Sequence, residues 1–243
     1  MNNSILKAEG IHTFIEQHHI LQGVSFDAKA DAVTVLIGRN GAGKSTTLKT
    51  VMGLLPAAEG KIFYRGKEIQ KNKPYEIARM GIGFVPEHMG IFSELTVEEN
   101  MRVAMLVEDD ASARRLERIL SMFSALKKFW KSKAGNLSGG QKQMLAIARA
   151  IVNDMSLLLI DEPSKGLAPI IVDVVIDAIN QIKERSVVVL VEQNFYMASS
   201  VGDDFFILDD GRVVHSGRVE ELVQNEELQS RYLGISKMED SNP

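Results

Sequence analysis

The stretch that most limits what this chain can fold into is GRNGAGKST, residues 38–46. It matches G-x-x-x-x-G-K-[ST], follows the apolar run AVTVLI (32–37) and opens a helical pattern, KSTTLKTVMGLL. That helix is expected to stop at Leu55-Pro56, where the proline limits continuation. Gly38, Gly41 and Gly43 let the backbone turn tightly and bring its N–H groups against phosphate oxygens without interference from a Cβ. The helix beginning near Lys44 adds its positive N-terminal end. Lys44 can reach the β- and γ-phosphates as a point charge, and Ser45 offers a hydroxyl to Mg²⁺. The residues expected to hold a nucleotide are therefore Gly38, Asn40, Gly41, Ala42, Gly43, Lys44, Ser45 and Thr46.

Such a site needs a carboxylate at the end of another core strand. SLLLIDEP (156–163) supplies one: Asp161 can hold Mg²⁺, and its neighbour Glu162 is the candidate general base for an attacking water. Further apolar runs, GIGFVP (81–86), SVVVLV (186–191), DFFILD (204–209) and RVVHSG (212–217), read as strands, with VDVVIDAINQIKER as a helix among them. This alternation predicts an α/β fold with a mainly parallel sheet and helices on its faces. ILKAEGI, VSFDA and the hairpin pattern GKIFYRGKEI (60–69) suggest an N-terminal β region. Between about 95 and 150 the texture turns to Glu, Arg, Leu, Met and Ala at three- and four-residue spacing, a helical insertion. The expected organisation is a single domain, with a nucleotide-binding core at 1–87 and 151–215. A helical subdomain occupies about 88–150, a C-terminal helix 216–236 and a tail 237–243.

The 243 residues carry no cysteine, which excludes a disulfide framework and a thiolate metal site. The net charge of −4 argues against a general nucleic-acid binder. KKFWKSK (127–133) is a local exception, read as a solvated helix end whose aromatics tuck inward. His18 and His19 are expected in a polar loop rather than at a metal. The start, MNNSILKAEG, has no signal-peptide pattern, and no apolar stretch approaches the ~18 residues that cross a bilayer. A cytoplasmic protein is expected.

A third motif narrows the class. NLSGGQKQMLAIARAI (136–151) contains LSGGQ followed by an amphipathic helix and resembles the signature of the ATP-binding cassette (ABC) family. The resemblance spans essentially the whole chain and implies a phosphate-loop ABC ATPase fold with an inserted helical subdomain. It implies ATP and Mg²⁺ as ligands, with Ser138, Gly139, Gly140 and Gln141 closing over nucleotide held by a second ABC ATPase subunit, identical or related. It further implies that the helical lobe docks on integral membrane permease subunits, at the inner face of the cell membrane.

Three positions depart from the family's common pattern. Gln193, in VVVLVEQN, stands where most members have histidine; its amide can donate to a phosphate oxygen but cannot carry a proton at neutral pH. The polar run Glu192-Gln193-Asn194 as a whole reads as a strand end presenting its side chains. Glu87, in FVPEHMG, replaces a glutamine that touches the metal and water, and offers a carboxylate to Mg²⁺. SKGLAP (164–169) lacks the usual aspartate and carries Lys165. Phe14 is the aromatic nearest to where adenine stacks in the family, and is equally readable as a core residue. VPE, VEQN and S-x-GLAP together resemble the branch serving uptake of branched-chain amino acids and related solutes such as urea or amides. That branch works with two permeases and an external solute-binding protein. An envelope-lipid export ATPase and a soluble, non-transport ABC ATPase are the alternatives.

Overall fold

The computed structural model describes residues 4–234, and the expected tail at 237–243 lies outside them. Two sheets organise the chain. Ser4–Ile15 (β1), His18–Lys29 (β2), Glu59–Tyr64 (β4) and Lys67–Glu68 (β5) form an antiparallel sheet in the order β2-β1-β4-β5. Val33–Ile37 (β3), Ile82–Val85 (β6), Leu157–Asp161 (β7), Val187–Glu192 (β8), Asp204–Asp209 (β9) and Arg212–Arg218 (β10) form the second, ordered β10-β9-β3-β8-β7-β6. All its neighbours are parallel except the β9–β10 hairpin.

The central strands explain why the sequence showed unbroken apolar runs. Val188 and Leu190 of β8 face one hydrophobic cluster, while Val187, Val189 and Val191 face another; β7 alternates likewise, with Leu158 and Ile160 opposite Leu157 and Leu159. A strand covered on both faces needs apolar side chains at every position. One cluster lies between the parallel sheet, the antiparallel sheet and the helix Lys44–Val51 (α1). The other runs into the helical lobe through Val97, Met101, Ile119, Phe123 and Leu126.

The helices follow local signals. Pro74–Arg79 (α2) starts on a proline, with Glu76 Oε2 accepting from Lys73 N at 2.8 Å. The lobe is Val97–Ala104 (α3), Asp110–Met122 (α4), Ser124–Lys128 (α5) and Gly139–Ile151 (α6). Capping boxes on Thr96, Asp109 and Ser138 open three of these helices. Pro169–Ile182 (α7) and Phe195–Val201 (α8) return to the sheet, and Val219–Gln224 (α9) and Glu226–Leu228 (α10) follow β10. Phe129 and Trp130 tuck against the core as expected, while Lys131 and Lys133 turn outward to Glu98 and Glu94.

Several expectations are corrected. Helix α1 ends at Val51 rather than at Leu55, because Gly53 adopts φ 68° and closes it early. The C-terminal helix is not continuous over 216–236: β10 runs to Arg218, and Asn225 (φ −103°, ψ 88°) interrupts the helix before a π turn at Gln229–Leu233. His18 and His19 are in strand β2, not a loop, and His19 Nε2 lies 2.9 Å from His12 Nδ1. Helices α2 and α8 are additional to the expected elements, and their local signals are Pro74 at the first position and Asn194 as a cap.

Candidate functional site

Strand β3 ends at the middle of the parallel sheet, and register brings the relevant residues to one edge. Ile37 pairs with Glu192 and Asp161 with Val191, so Gly38, Glu162 and Gln193 all emerge at the carboxyl ends of adjacent strands. Gly38 is required by close approach: a Cβ there would sit 2.2 Å from the Leu208 carbonyl oxygen. Gly43 has φ 97°, a left-handed conformation that turns the loop into α1. Lys44 follows, 4% exposed. Its Nζ donates to the carbonyls of Gly38 (2.9 Å) and Arg39 (3.1 Å) and lies 3.2 Å from Glu162 Oε1.

Ser45 Oγ donates to Asp161 Oδ1 at 2.7 Å. The second oxygen, Oδ2, is buried and has no hydrogen-bond partner among the described residues. Burial pushes the Asp161 carboxyl up from its ordinary value, against the lowering effect of the Ser45 bond. A buried carboxylate oxygen with no donor is a position suited to a cation.

Glu162 has φ 45°, uncommon for a residue with a side chain, and its N–H donates to Val191 O at 2.9 Å. Its carboxylate lies between two ammonium groups, with Lys44 on one oxygen and Lys165 Nζ at 3.5 Å from the other. Lys165 also bonds Glu87 Oε1 at 2.6 Å. That bond holds the Glu87 carboxyl below its usual range and, with the nearby Glu162 charge, raises the Lys165 ammonium. Glu87, Glu162 and Lys165 line a cavity of about 310 Å³ over the phosphate loop, together with Asn40, Ser45 and Thr46.

Ile15 and Ile20 form this cavity's apolar wall. Phe14 is not among its lining residues; its ring stacks on His19 with centroids 4.2 Å apart. Gln193 is exposed at the strand end. Glu192 and Asn194 do not present themselves, contrary to expectation. Glu192 is buried and accepts four hydrogen bonds, while Asn194 Oδ1 caps α8 by accepting from Met197 N at 3.2 Å. Burial pushes the Glu192 carboxyl up, and its backbone donors oppose this.

The signature segment lies elsewhere, absent from the lining of that cavity. Ser138 Oγ accepts from Gln141 N at 3.3 Å and Gln141 Oε1 accepts from Ser138 N at 3.0 Å, so both side chains are used in capping α6. The first-turn N–H groups of Gly139 and Gly140 have no acceptor within their own helix by geometry. Ser138 and Gly139 are exposed, and nothing stands within 4 Å of a Cβ built on Gly139. Gly140 presses on α7, where its Cβ would meet Ile171 Cγ2 at 2.6 Å. A larger cavity, about 530 Å³ and edged by Arg115, Arg118 and Arg185, opens at the opposite end of the sheet and contains none of these motifs.

A glycine-rich loop between a central parallel strand and a helix, with an Asp-Glu pair at the next strand's end but one, defines a phosphate-loop nucleoside-triphosphatase. Residues 21–165 match the family described as "ABC transporter", and this chain belongs to the ABC transporter family as one of its ATP-binding, ATP-hydrolysing subunits. It is 39% identical over 232 residues to the high-affinity branched-chain amino acid transport ATP-binding protein BraG of Pseudomonas aeruginosa, covering 95% of this chain and 100% of that one. It is 35% identical over 234 residues to the probable branched-chain amino acid transport ATP-binding protein LivF of Archaeoglobus fulgidus, covering 95% and 99%. Among solved structures, the ADP conformation of an ATP-binding cassette from an ABC transporter superposes with a TM-score of 0.81 at 26% identity, covering 92% and 94%.

Proposed function

We propose that this subunit powers uptake of branched-chain amino acids or a related small polar solute, and that Glu162 is its general base. The observation that carries the catalytic part is the position of Glu162, beside Lys44 Nζ at 3.2 Å and next in sequence to an Asp161 that already accepts from Ser45. Lys44 and the N–H groups of residues 40–46 hold the β- and γ-phosphates. Glu162 takes the proton of the attacking water. Gln193 donates its amide N–H to a γ-phosphate oxygen and, being unable to titrate, leaves proton transfer to Glu162.

Ser45 and Asp161 fit Mg²⁺, with the unpartnered Asp161 Oδ2 supplying the strongest reason, and the charged Glu87 is a further oxygen donor nearby. Bound there, the ion neutralises charge on the transferred phosphoryl group. Lys165 offsets the negative charge that Glu87 brings to a site built for a triphosphate.

Ser138, Gly139, Gly140 and Gln141 of a second ATP-binding subunit complete the site across a head-to-tail interface. The exposure of Ser138 and Gly139, and the absence of all four residues from their own chain's cavity, support this reading. No described helix is long and apolar enough to cross a membrane. We assign the solute path to separate permease subunits, a reading supported by the transporter family the chain belongs to. The helical lobe, with Val103 of α3 and Leu106 and Val107 just after it exposed, is the region we assign to permease contact at the inner membrane face, with an external binding protein delivering solute. The solute class is supported by the names of the relatives above and by the VPE, VEQN and S-x-GLAP motifs.

Purification of the chain from its native cells in mild detergent tests the assignment. Co-isolation of permease subunits and amino-acid-stimulated ATPase activity are expected. Co-isolation of lipid-export components, or of ribosomes, would move the assignment to one of those alternatives.

A further inference from the structure

We infer that Glu192 is a positioning residue: its buried carboxylate ties the end of β8 to the loop that follows Glu162, and so holds Glu162 and Gln193 in fixed relation. The inference rests on reading Glu162 as the base. Glu192 is 1% exposed at the rim of an otherwise apolar strand. Its Oε1 accepts from Ser164 N at 3.0 Å; its Oε2 accepts from Ser164 Oγ (3.0 Å), Gln193 N (3.1 Å) and Asn194 N (3.0 Å). Two of the donors belong to the β7–α7 loop and two to the β8–α8 loop, so one carboxylate closes both loops together.

The chemistry is specific to a carboxylate. Four donors converge and no acceptor is needed, which suits an ionised side chain with two accepting oxygens. Glutamine in its place would turn an NH₂ group toward N–H and O–H donors. What the clamp restrains is Glu162, whose φ of 45° persists only if its surroundings over-determine it. Both restraints come from the end of β8: Val191 O receives Glu162 N at 2.9 Å, and Glu192 receives Ser164 two residues further on. The turn is thus pinned at Glu162 and again at Ser164 by consecutive residues at the end of β8, the strand that leads into Gln193. Loss of either restraint lets the turn relax and moves the carboxylate relative to the water it must meet.

The test compares Glu192→Gln, Ser164→Ala and the double variant, with Ser164→Thr as the control that keeps the hydroxyl, in the subunit assembled as it normally works. The measurements are kcat, KM for ATP, ATP affinity and melting temperature. A positioning role predicts a kcat lowered by up to about 10²-fold in Glu192→Gln. Ser164→Ala should lose less, ATP affinity should be unchanged and Ser164→Thr should recover. The double variant should be no worse than Glu192→Gln alone, since both act through one clamp. Should Glu192→Gln fail to fold, Ser164→Ala and its recovery by Ser164→Thr read the same clamp. A lowered melting temperature with kcat per folded molecule intact, or a parallel fall in ATP affinity, would overturn the role. Glu162→Gln separates the two ideas. If turnover is lost there but kept in Glu192→Gln and Ser164→Ala, positioning alone is wrong; if Glu162→Gln itself turns over normally, the base assignment fails and positioning fails with it.

Discussion

Two glycine-rich helix starts in this molecule look alike in sequence and are built differently. At the phosphate loop, a Cβ on Gly38 would strike Leu208 O at 2.2 Å, Gly43 takes a left-handed turn, and Lys44 is buried among carbonyls and Glu162. At the signature, Gly139 stands in the open, and the flanking Ser138 and Gln141 spend their hydrogen bonds on each other. The first cradle draws its ammonium group, its carboxylates and its apolar wall from its own chain. The second is a capped helix end that is open at Gly139 and backed at Gly140 by Ile171. The difference teaches that a glycine motif at a helix start is only half a site: what surrounds it decides whether one chain suffices.

The contrast can be broken at either loop, and the largest effect belongs to the phosphate-loop side. Glu162→Gln should reduce turnover by about 10²–10⁴-fold, the range of a lost general base, while Mg-ATP binding persists. Normal hydrolysis in that variant, measured by phosphate release, would remove the base from the account.

Stability sharpens the comparison next. Gly38→Ala forces a methyl into a backbone carbonyl and should cost about 1–3 kcal/mol in urea denaturation. Gly139→Ala meets nothing and should change the same measurement by less than ~0.5 kcal/mol. Equal losses at the two glycines would erase the distinction between a packed and an open loop. Ser138→Ala should cost about 1 kcal/mol through the lost cap, with kcat falling further than stability because the segment also meets nucleotide.

The smallest effect concerns Lys165. Its removal leaves Glu87 uncompensated beside the triphosphate, so Lys165→Ala should raise KM for ATP with no change in melting temperature. The double change Lys165→Ala/Glu87→Gln should restore KM. Failure of that restoration would detach Lys165 from Glu87 in the account of the site.

Much of this was legible in the residues because the signals are local. The phosphate loop announces itself through glycine spacing, and β3, β7 and β8 through apolar runs that both sheet faces demand. Glu162 and Asp161 were legible because a strand end followed by two carboxylates has few other uses beside such a loop. What was not legible depends on tertiary direction. In sequence Glu192, Gln193 and Asn194 form one polar strand end, yet the fold turns Glu192 inward to Ser164, 28 positions away in the chain. The Lys165–Glu87 pair joins residues 78 apart, and no short-range pattern signals it. The phase of His18 and His19 was lost because polar residues at a strand start resemble a loop until the partner strand, carrying Phe14 and His12, is in place.

The claim that most needs testing is that the open cradle of one subunit closes over the packed cradle of another. The chain contains no cysteine, so a pair introduced as Asn40→Cys and Gly139→Cys provides the only thiols. With Mg-ATP and Glu162→Gln to slow turnover, oxidation should yield a covalent dimer at twice the subunit mass, and none without nucleotide. A disulfide formed within a single chain, or no disulfide while ATP is demonstrably bound, would contradict the shared site.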